Sequence, residues 1–429
     1  MRPSDLIELD IEKPAAGGRM LARHHGQVVL VAGAIPGERV RARVERVGKG
    51  VAYAEAVEVV RTSPDRRPST QDWRCGGNAL AHVAYPRQLL LKGEIVQDAF
   101  RRIARAPLAA PPGVTGSPET GYRMRARLHA HDGRLGFYRE GTHQLCDAAA
   151  TGQLLPATAA WIARVADIVG RSGLRGLAGV EIAENVAGDE RACHLDLQPG
   201  VDHRPFAALG EGLAGLSAGR SDEPDVHVLA GRTVISDVVR LAGGPSGAAV
   251  TLQRDVRAFF QGNRFLLEPL ARHVVGLVPP GPVVDLYAGV GLLGLSAAAA
   301  GAADVTLVEG DAIAAADLKA NAAPYPAAHV TRRSVESYLA AARPFDRPAT
   351  LVVDPPRTGV SREALAGIVR LAPARIVYVS CDVATLARDT RLLLDAGYVL
   401  GPMAAFDMFP NTAHVETVVC FERDAGTRG

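Results

Sequence analysis

Cysteine is scarce in this chain and irregularly spaced, with five residues in 429, at positions 75, 146, 193, 381 and 420. No regular disulfide framework can be read from that spacing, and a reduced, cytoplasmic setting fits it best. Net charge is also low. Forty-eight Lys and Arg against 46 Asp and Glu leave a formal charge of +2, so any nucleic-acid footprint must be local. The opening residues, MRPSDLIELD, do not read as a signal peptide. Long uncharged runs are nearly absent too. The one candidate, 286–303, holds four glycines between Asp285 and Asp304, and divides into a loop and an Ala-rich helix rather than a membrane span. No internal repeat is visible. What remains, 48% hydrophobic and 22% charged residues, is the composition of a globular protein long enough for roughly two or three domains.

Residues 4–60 alternate in short runs of Val, Ala and Arg, punctuated by Gly17-Gly18, His25-Gly26, Pro36-Gly37 and Gly48. That pattern predicts a small β-barrel, with Pro64–Pro68 as a boundary. We therefore expect a first unit at 1–62. A second, mixed α+β unit is expected at 63–255. Within it, 87–105 has the apolar spacing of an amphipathic helix and is expected to pack on the last unit. Arg123, Arg125, Arg127, His129 and His131 fall on every second position, with Met124, Ala126, Leu128 and Ala130 between. Period two puts the basic set on one face of a strand, with Asp132-Gly133 as the hairpin turn. Five like-signed or titratable groups repel unless an anion faces them, so this stripe is expected to contact RNA or phosphate. Trp73, Trp161, Cys193 and Cys420 read as packing residues.

From 256 to 429 strand and helix alternate. VVDLY, VTLVE, TLVVD and IVYVS are apolar runs of the kind buried parallel strands need, so the third unit reads as α/β, a doubly wound parallel sheet. Gly289, Gly291 and Gly294 lie between the first strand and its helix, where a nucleotide cofactor can sit on open backbone. Glu309 ends the second strand, placed for ribose hydroxyls. Asp285 precedes the loop and can help order it before a cationic sulfonium. Asp354-Pro355-Pro356-Arg357 ends the fourth strand. This combination favours an S-adenosylmethionine-dependent methyltransferase over a nicotinamide dehydrogenase.

Cys381 follows IVYVS and begins a helical segment, where a helix N-terminus is expected to push a thiol towards thiolate. Glu416 lies in a second apolar stretch, where burial raises a carboxyl towards the range of a working base.

These residues together resemble the RNA uridine-5 methyltransferase family, which forms 5-methyluridine in tRNA and large-subunit ribosomal RNA. AGAIPGERV resembles part of the RNA-binding barrel known as the TRAM domain. FFQGN (259–263) is similar to the family's FxQxN, and DLYAGVGLLGL, VVDPPRTG, YVSCDVATLARD and FDMFPNTAHVE follow its later motifs in order. The resemblance implies a Rossmann-like methyltransferase domain behind a TRAM/OB-like barrel. It implies Cys381 as nucleophile and Glu416 as general base. Gln261, Tyr287, Gly289, Glu309 and Asp354 would form the cofactor and target-base pocket. It further implies S-adenosyl-L-methionine as cofactor, ribosomal RNA or tRNA as partner, and a monomer free of membranes.

The chain departs from the family in three places. Cluster-bearing members carry Cys-x5-Cys-x2-Cys and a distant fourth Cys. Here those places read Ser69, Cys75, Asn78 and, by alignment, Thr151, with Cys146 out of register, so no iron–sulfur cluster and no metal is expected. Asp382 replaces the usual Asn after the nucleophile, and a carboxylate there would raise the thiol. Leu292 replaces a polar residue of the loop. The alternatives are a cytosine-5 RNA methyltransferase, which would need a cysteine in or beside Asp-Pro-Pro, and an RNA-binding protein with lapsed or secondary activity. Cys381, Glu416 and Asp354 stand against lapse.

Overall fold

The computed structural model describes residues 1–69, 71–131, 133–241 and 247–423. Five strands, β1 (Leu6–Pro14), β2 (Met20–His24), β3 (Gln27–Ala32), β4 (Arg39–Val47) and β5 (Val51–Arg61), close into a barrel in the order β1-β2-β3-β5-β4. The alternation in β4 explains it: Val40, Ala42 and Val44 are buried, while Arg39, Arg41 and Arg43 face out.

Helix α1 (Tyr85–Ala99) follows, then β6 (Val114–Thr115), β7 (Arg125–His131), β8 (Arg134–Tyr138), β9 (Leu145–Asp147), α2 (Pro156–Ser172), β10 (Leu177–Glu184), β11 (Arg191–Leu197), β12 (Gly215–Arg220) and β13 (Val226–Gly231). Strands β7 to β13 make a seven-stranded sheet in the order β13-β12-β11-β10-β7-β8-β9. Trp161 of α2 lies in its core and donates from Nε1 to the Leu209 carbonyl at 3.2 Å, a packing role. Asp132 of the expected hairpin turn lies outside the described residues. Gly133 takes φ +73° and His131 pairs with Arg134, so the hairpin itself forms.

The hairpin β14 (Val234–Arg240) and β15 (Ala249–Asp255) leads to α3 (Leu267–Gly276), β16 (Val283–Leu286), α4 (Leu292–Ala299), β17 (Val305–Glu309), α5 (Ala312–Ala322), β18 (Ala328–Arg332), α6 (Val335–Ala341), β19 (Thr350–Val353), α7 (Arg362–Leu371), β20 (Arg375–Ser380), α8 (Val383–Asp395), β21 (Tyr398–Phe406) and β22 (Glu416–Arg423). The last sheet has the order β18-β17-β16-β19-β20-β22-β21-β6. Its first five strands are parallel, and β22 and β21 add on antiparallel. Both faces are covered, which is why β16 and β19 are buried at every position.

The expected middle unit, 63–255, is divided in space. Val96 and Phe100, at the end of α1 and just beyond it, enter the core of the last sheet, and β6 becomes its edge strand beside β21. One ion pair secures this: Lys92 of α1 and Asp407, just after β21, are both fully buried against each other. Tyr85 Oη donates to the same carboxylate at 3.0 Å, and Lys92 Nζ also donates to the Phe409 carbonyl at 3.1 Å. Each charge needs the other, since an unpaired charge at such depth is costly.

The cysteines correct one expectation. Cys193, Cys381 and Cys420 are free, but Cys75 and Cys146 form a disulfide with Cα atoms 5.8 Å apart. The pairing is invisible at a separation of 71 residues because β8 creates it. Cys146 pairs with Phe137 on one side of β8, and Cys75 bridges to Arg139. Cys146, rather than Thr151, therefore faces Cys75. The Thr151 hydroxyl instead donates to the Ala148 carbonyl at 2.6 Å.

Candidate active site

The carboxyl ends of the parallel strands carry the site, as open α/β sheets require. Tyr287 follows β16, Glu309 ends β17, Asp354 follows β19 and Cys381 follows β20. Glu416 reaches the same edge from the opposite direction. Strand β22 runs antiparallel to β20 with Ser380 opposite Thr417, so the next residues outward, Cys381 and Glu416, meet. Two motifs thirty-five residues apart in sequence are thereby brought side by side.

Backbone conformation builds the loop after β16. Tyr287, Gly289 and Gly291 take φ of +64°, +56° and +105°. Gly294 is required for a different reason: a Cβ there would stand 2.2 Å from Leu307 and 2.8 Å from Asp285 Oδ2, so only glycine lets α4 lie on the sheet. Its N–H donates to Asp285 Oδ2 at 2.8 Å. Glu309 ties the loop to the next strand, accepting from Gly289 N–H at 2.7 Å and Asp311 N–H at 2.6 Å. Gln261 Nε2 donates to Asp354 Oδ2 at 3.1 Å. Asn263 fixes that segment by donating to the Met408 carbonyl at 3.2 Å and to Ser117 Oγ at 2.9 Å. The loop after Asp354 is held at its far end, where Val360 N–H (3.1 Å) and Tyr378 Oη (2.7 Å) both donate to Asp389 of α8.

The electrostatics are those of buried acid. Burial raises Asp285 to about 8, against the hydrogen bond from Gly294 and with help from Asp354 and Glu309. Burial raises Asp354 to about 7, with Gln261 pulling the other way. Burial and then Asp354 push Glu416 well above the ordinary carboxyl range, while Arg357 opposes them. Asp285 Oδ1 and Glu416 Oε1 have no hydrogen-bond partner.

Cys381 behaves differently from the expectation of a helix-activated thiolate. Burial, and then the Glu416 charge, push its thiol up to about 11, with Asp354 adding to the rise and Arg357 opposing it through its charge and a hydrogen bond. Asp382 is not among the causes. Its carboxylate turns into α8 as the N-cap, accepting from Thr385 N–H at 2.8 Å.

Three further residues differ from the expected picture of the pocket. The Tyr287 side chain packs against the core on the α7–α8 face and lines a cavity of about 960 Å3 with Glu336, Pro356 and Leu392. Only its backbone belongs to the loop. Leu292 is buried in the core on the opposite face, which accounts for its apolar character. Arg357, which the sequence offers only as the end of Asp-Pro-Pro-Arg, is the cation acting on both Cys381 and Glu416. The clue was available, since an arginine in that motif is the nearest source of positive charge for two acids and a thiol.

The basic stripe already has anions. Arg125 pairs with Glu181 at 3.3 Å, and Arg127 with Asp196 at 3.0 Å and Glu181 at 3.7 Å. Strand β10 sets Glu181 directly opposite Arg127, which the sequence of β7 alone could not reveal. Arg123 lies deeper, donating to Gln153 Oε1 at 2.6 Å and resting between the Phe137 and Phe409 rings. Arg127 is the open member, with 61% of its side chain exposed.

Comparison with known proteins matches residues 5–57 to the TRAM domain and residues 335–424 to the family described as tRNA (Uracil-5-)-methyltransferase. The 23S rRNA (uracil(1939)-C(5))-methyltransferase RlmD of Methylococcus capsulatus is 33% identical over 98% of this chain and 98% of its own. The chain belongs to the TRAM-domain RNA uracil-5 methyltransferases, which depend on S-adenosylmethionine. An uncharacterized RNA methyltransferase of Streptomyces coelicolor is 31% identical over 97% of this chain and 92% of its own. The fold is also that of the Pyrococcus abyssi tRNA (uracil-54, C5)-methyltransferase solved with S-adenosyl-L-homocysteine, with a TM-score of 0.76 at 24% identity over 96% of this chain and 99% of that one. The uracil-5 methyltransferase architecture is thus present from the barrel to the last strand. Among the described residues, no helix is long and apolar enough to cross a membrane.

Proposed function

We propose that this protein methylates carbon-5 of one uridine in a large structured RNA through a covalent adduct at Cys381, with Glu416 as general base. The register that sets Cys381 against Glu416 carries this reading. The donor set fits S-adenosylmethionine: two partnerless buried carboxylate oxygens, on Asp285 and Glu416, suit a cation, and space is open over Gly289. Gly289, Glu309, Asp354, Gln261 and the Tyr287 backbone would hold it. The Glu309 oxygens, each with a lone pair left after accepting one N–H, suit ribose hydroxyls. When bound, the cofactor supplies an electrophilic methyl group on a cationic sulfur.

Carbon-5 of uracil is a weak nucleophile. Addition of the Cys381 sulfur at carbon-6 makes an enolate, which raises electron density at carbon-5. Arg357 lies beside the nucleophile, where its charge favours the thiolate. After methylation the carbon-5 proton must leave before the sulfur can be expelled, and Glu416 is the base in reach. The target base must be splayed from its stack to enter.

Ribosomal RNA is the first substrate to test, because whole-length relatives at 30–33% identity carry that specificity in their names. Labelled methyl transfer to unmodified ribosomal RNA is expected, with 5-methyluridine as product. Transfer to tRNA alone would move the assignment to tRNA, and 5-methylcytidine would overturn the reading.

Arg127, with Arg125 and Arg123 behind it, is proposed to meet the RNA backbone. Arg127→Ala is expected to weaken RNA binding and reduce the log–log salt slope by roughly one unit. An unchanged slope would leave the stripe as intramolecular ion pairs.

The chain is proposed to hold no iron–sulfur cluster, since Cys75 and Cys146 are joined to each other and Ser69 and Asn78 stand at two other ligand places. Protein purified without oxygen is expected to be colourless. About four irons per chain would show that the cysteines have other partners.

We propose a cytoplasmic monomer. Light scattering should give a mass near 45.1 kDa, and twice that value would argue for a dimer.

A further inference from the structure

Cys381 and Arg357 stand on different segments, and a contact remote from both joins those segments. Cys381 is pinned where β20 turns into α8: Ser380 Oγ donates to the Asp382 carbonyl at 3.0 Å and accepts from Asp382 N–H at 3.2 Å. Arg357 is the second residue of a tight turn, closed by Gly359 N–H donating to the Pro356 carbonyl at 2.8 Å. Further along α8, Arg388 and Asp389 take hold of that turn. Asp389 is 1% exposed. Its Oδ2 accepts from Val360 N–H at 3.1 Å and from Tyr378 Oη at 2.7 Å, and its Oδ1 accepts from Arg388 Nε at 2.8 Å. Arg388, aligned in this way, donates from Nη2 to the Thr358 and Val360 carbonyls, both at 3.3 Å. Gly359 is pressed against the pair. It takes φ +76°, and a Cβ there would stand 2.6 Å from Arg388 Nη2, 2.9 Å from Asp389 Oδ2 and 3.1 Å from Thr385 Cβ. One buried carboxylate thus binds the helix behind Cys381, the strand before it and the turn that carries Arg357.

We propose that Arg388 and Asp389 are positioning residues for methylation: they seat the Pro356–Gly359 turn on α8 and so hold the Arg357 guanidinium beside the Cys381 sulfur. The proposal rests on Cys381 as the nucleophile and adds what keeps its cation in place. Only the near end of the segment is tied to the sheet, by Asp354, whose N–H donates to the Leu286 carbonyl at 3.3 Å and whose carboxylate accepts from Gln261. The far end depends on α8. Pro356, Thr358, Gly359 and Val360 line the cavity of about 960 Å3, which gives a released turn space to move into. Arg357 would move with it, and the attraction of its charge for a thiolate falls with distance.

Single-turnover methylation by the full chain tests this, beside adduct formation on RNA containing 5-fluorouridine. Asp389→Ala is expected to slow the methylation step by about 10²-fold, the cost of a reacting group displaced by about 1 Å. Affinity for S-adenosylmethionine, measured by calorimetry, should stay near wild type, because the clamp touches neither the glycine loop nor Glu309. Asp389→Asn, whose amide oxygen still accepts from Val360 and Tyr378, should recover most of the rate. Arg357→Gln should also be slow, and adding Asp389→Ala to it should cost little more, because no guanidinium is left to position. Gly359→Ala pushes the turn off α8 without removing the acid. It should show the same loss and the same non-additivity with Arg357→Gln, and it decides the matter if Asp389→Ala does not fold. A wild-type rate in Asp389→Ala, or losses that multiply in full with that of Arg357→Gln, would overturn the proposal while leaving the covalent route intact. A wild type that forms no adduct would instead remove the covalent reading beneath it.

Discussion

Cys381→Ala is expected to bind S-adenosylmethionine with near wild-type affinity and to form no 5-methyluridine. The cofactor is assigned to the glycine loop, Glu309 and Asp354, none of which needs the thiol. Turnover should fall by more than about 10⁴-fold, because among the described residues no other thiol stands at the strand end to activate carbon-5. The wild type, given RNA containing 5-fluorouridine, should form an adduct that survives a denaturing gel, since fluorine cannot leave as a proton does. The variant should form none. The buried thiol adds a pH signature. Because the Cys381 thiol sits at about 11 in the free protein, adduct formation should speed up as pH rises from neutral. Turnover by Cys381→Ala at wild-type rate would refute the covalent route altogether.

The sequence made some levels of this structure legible and hid others. The barrel was readable because β4 alternates from Arg39 to Val44, and the parallel strands because they are largely apolar. Cys381 and Glu416 were each recognisable as motif residues, but nothing in either motif says that they come together. That follows from β22 entering antiparallel beside β20, a topological fact. The same reason hid the Cys75–Cys146 pairing, the passage of β6 into the last sheet, and the Glu181 carboxylate under the arginine stripe. Cross-strand neighbours cannot be read from one strand. The charge state of Cys381 failed for another reason. The helix end is a modest local effect, while burial beside two carboxylates is a larger one that only the folded site contains. The Lys92–Asp407 pair was the nearest miss, because a lysine within the apolar run LLLK already asks for a buried partner.

Glu416→Gln is expected to stall the reaction after methyl transfer. Sulfur addition and methyl transfer do not require carbon-5 to lose its proton, so a methylated RNA–protein adduct should accumulate on ordinary uridine, where the wild type shows little. The electrostatics favour this outcome. The Glu416 charge is the second cause raising the Cys381 thiol, so the neutral amide should leave the nucleophile no harder to ionise. Multiple turnover should drop by about 10² to 10⁴-fold, the usual worth of a positioned base. The trapped species should vanish in the Cys381→Ala, Glu416→Gln double variant, which separates covalent trapping from tight binding. The other nearby carboxylates are engaged elsewhere: Asp407 is committed to Lys92 and Tyr85, and Asp382 caps α8. Asp354, whose charge acts on both Cys381 and Glu416, is the next candidate. Rapid turnover of Glu416→Gln with no adduct would therefore shift the base to Asp354, and Asp354→Asn would then be the variant that traps RNA.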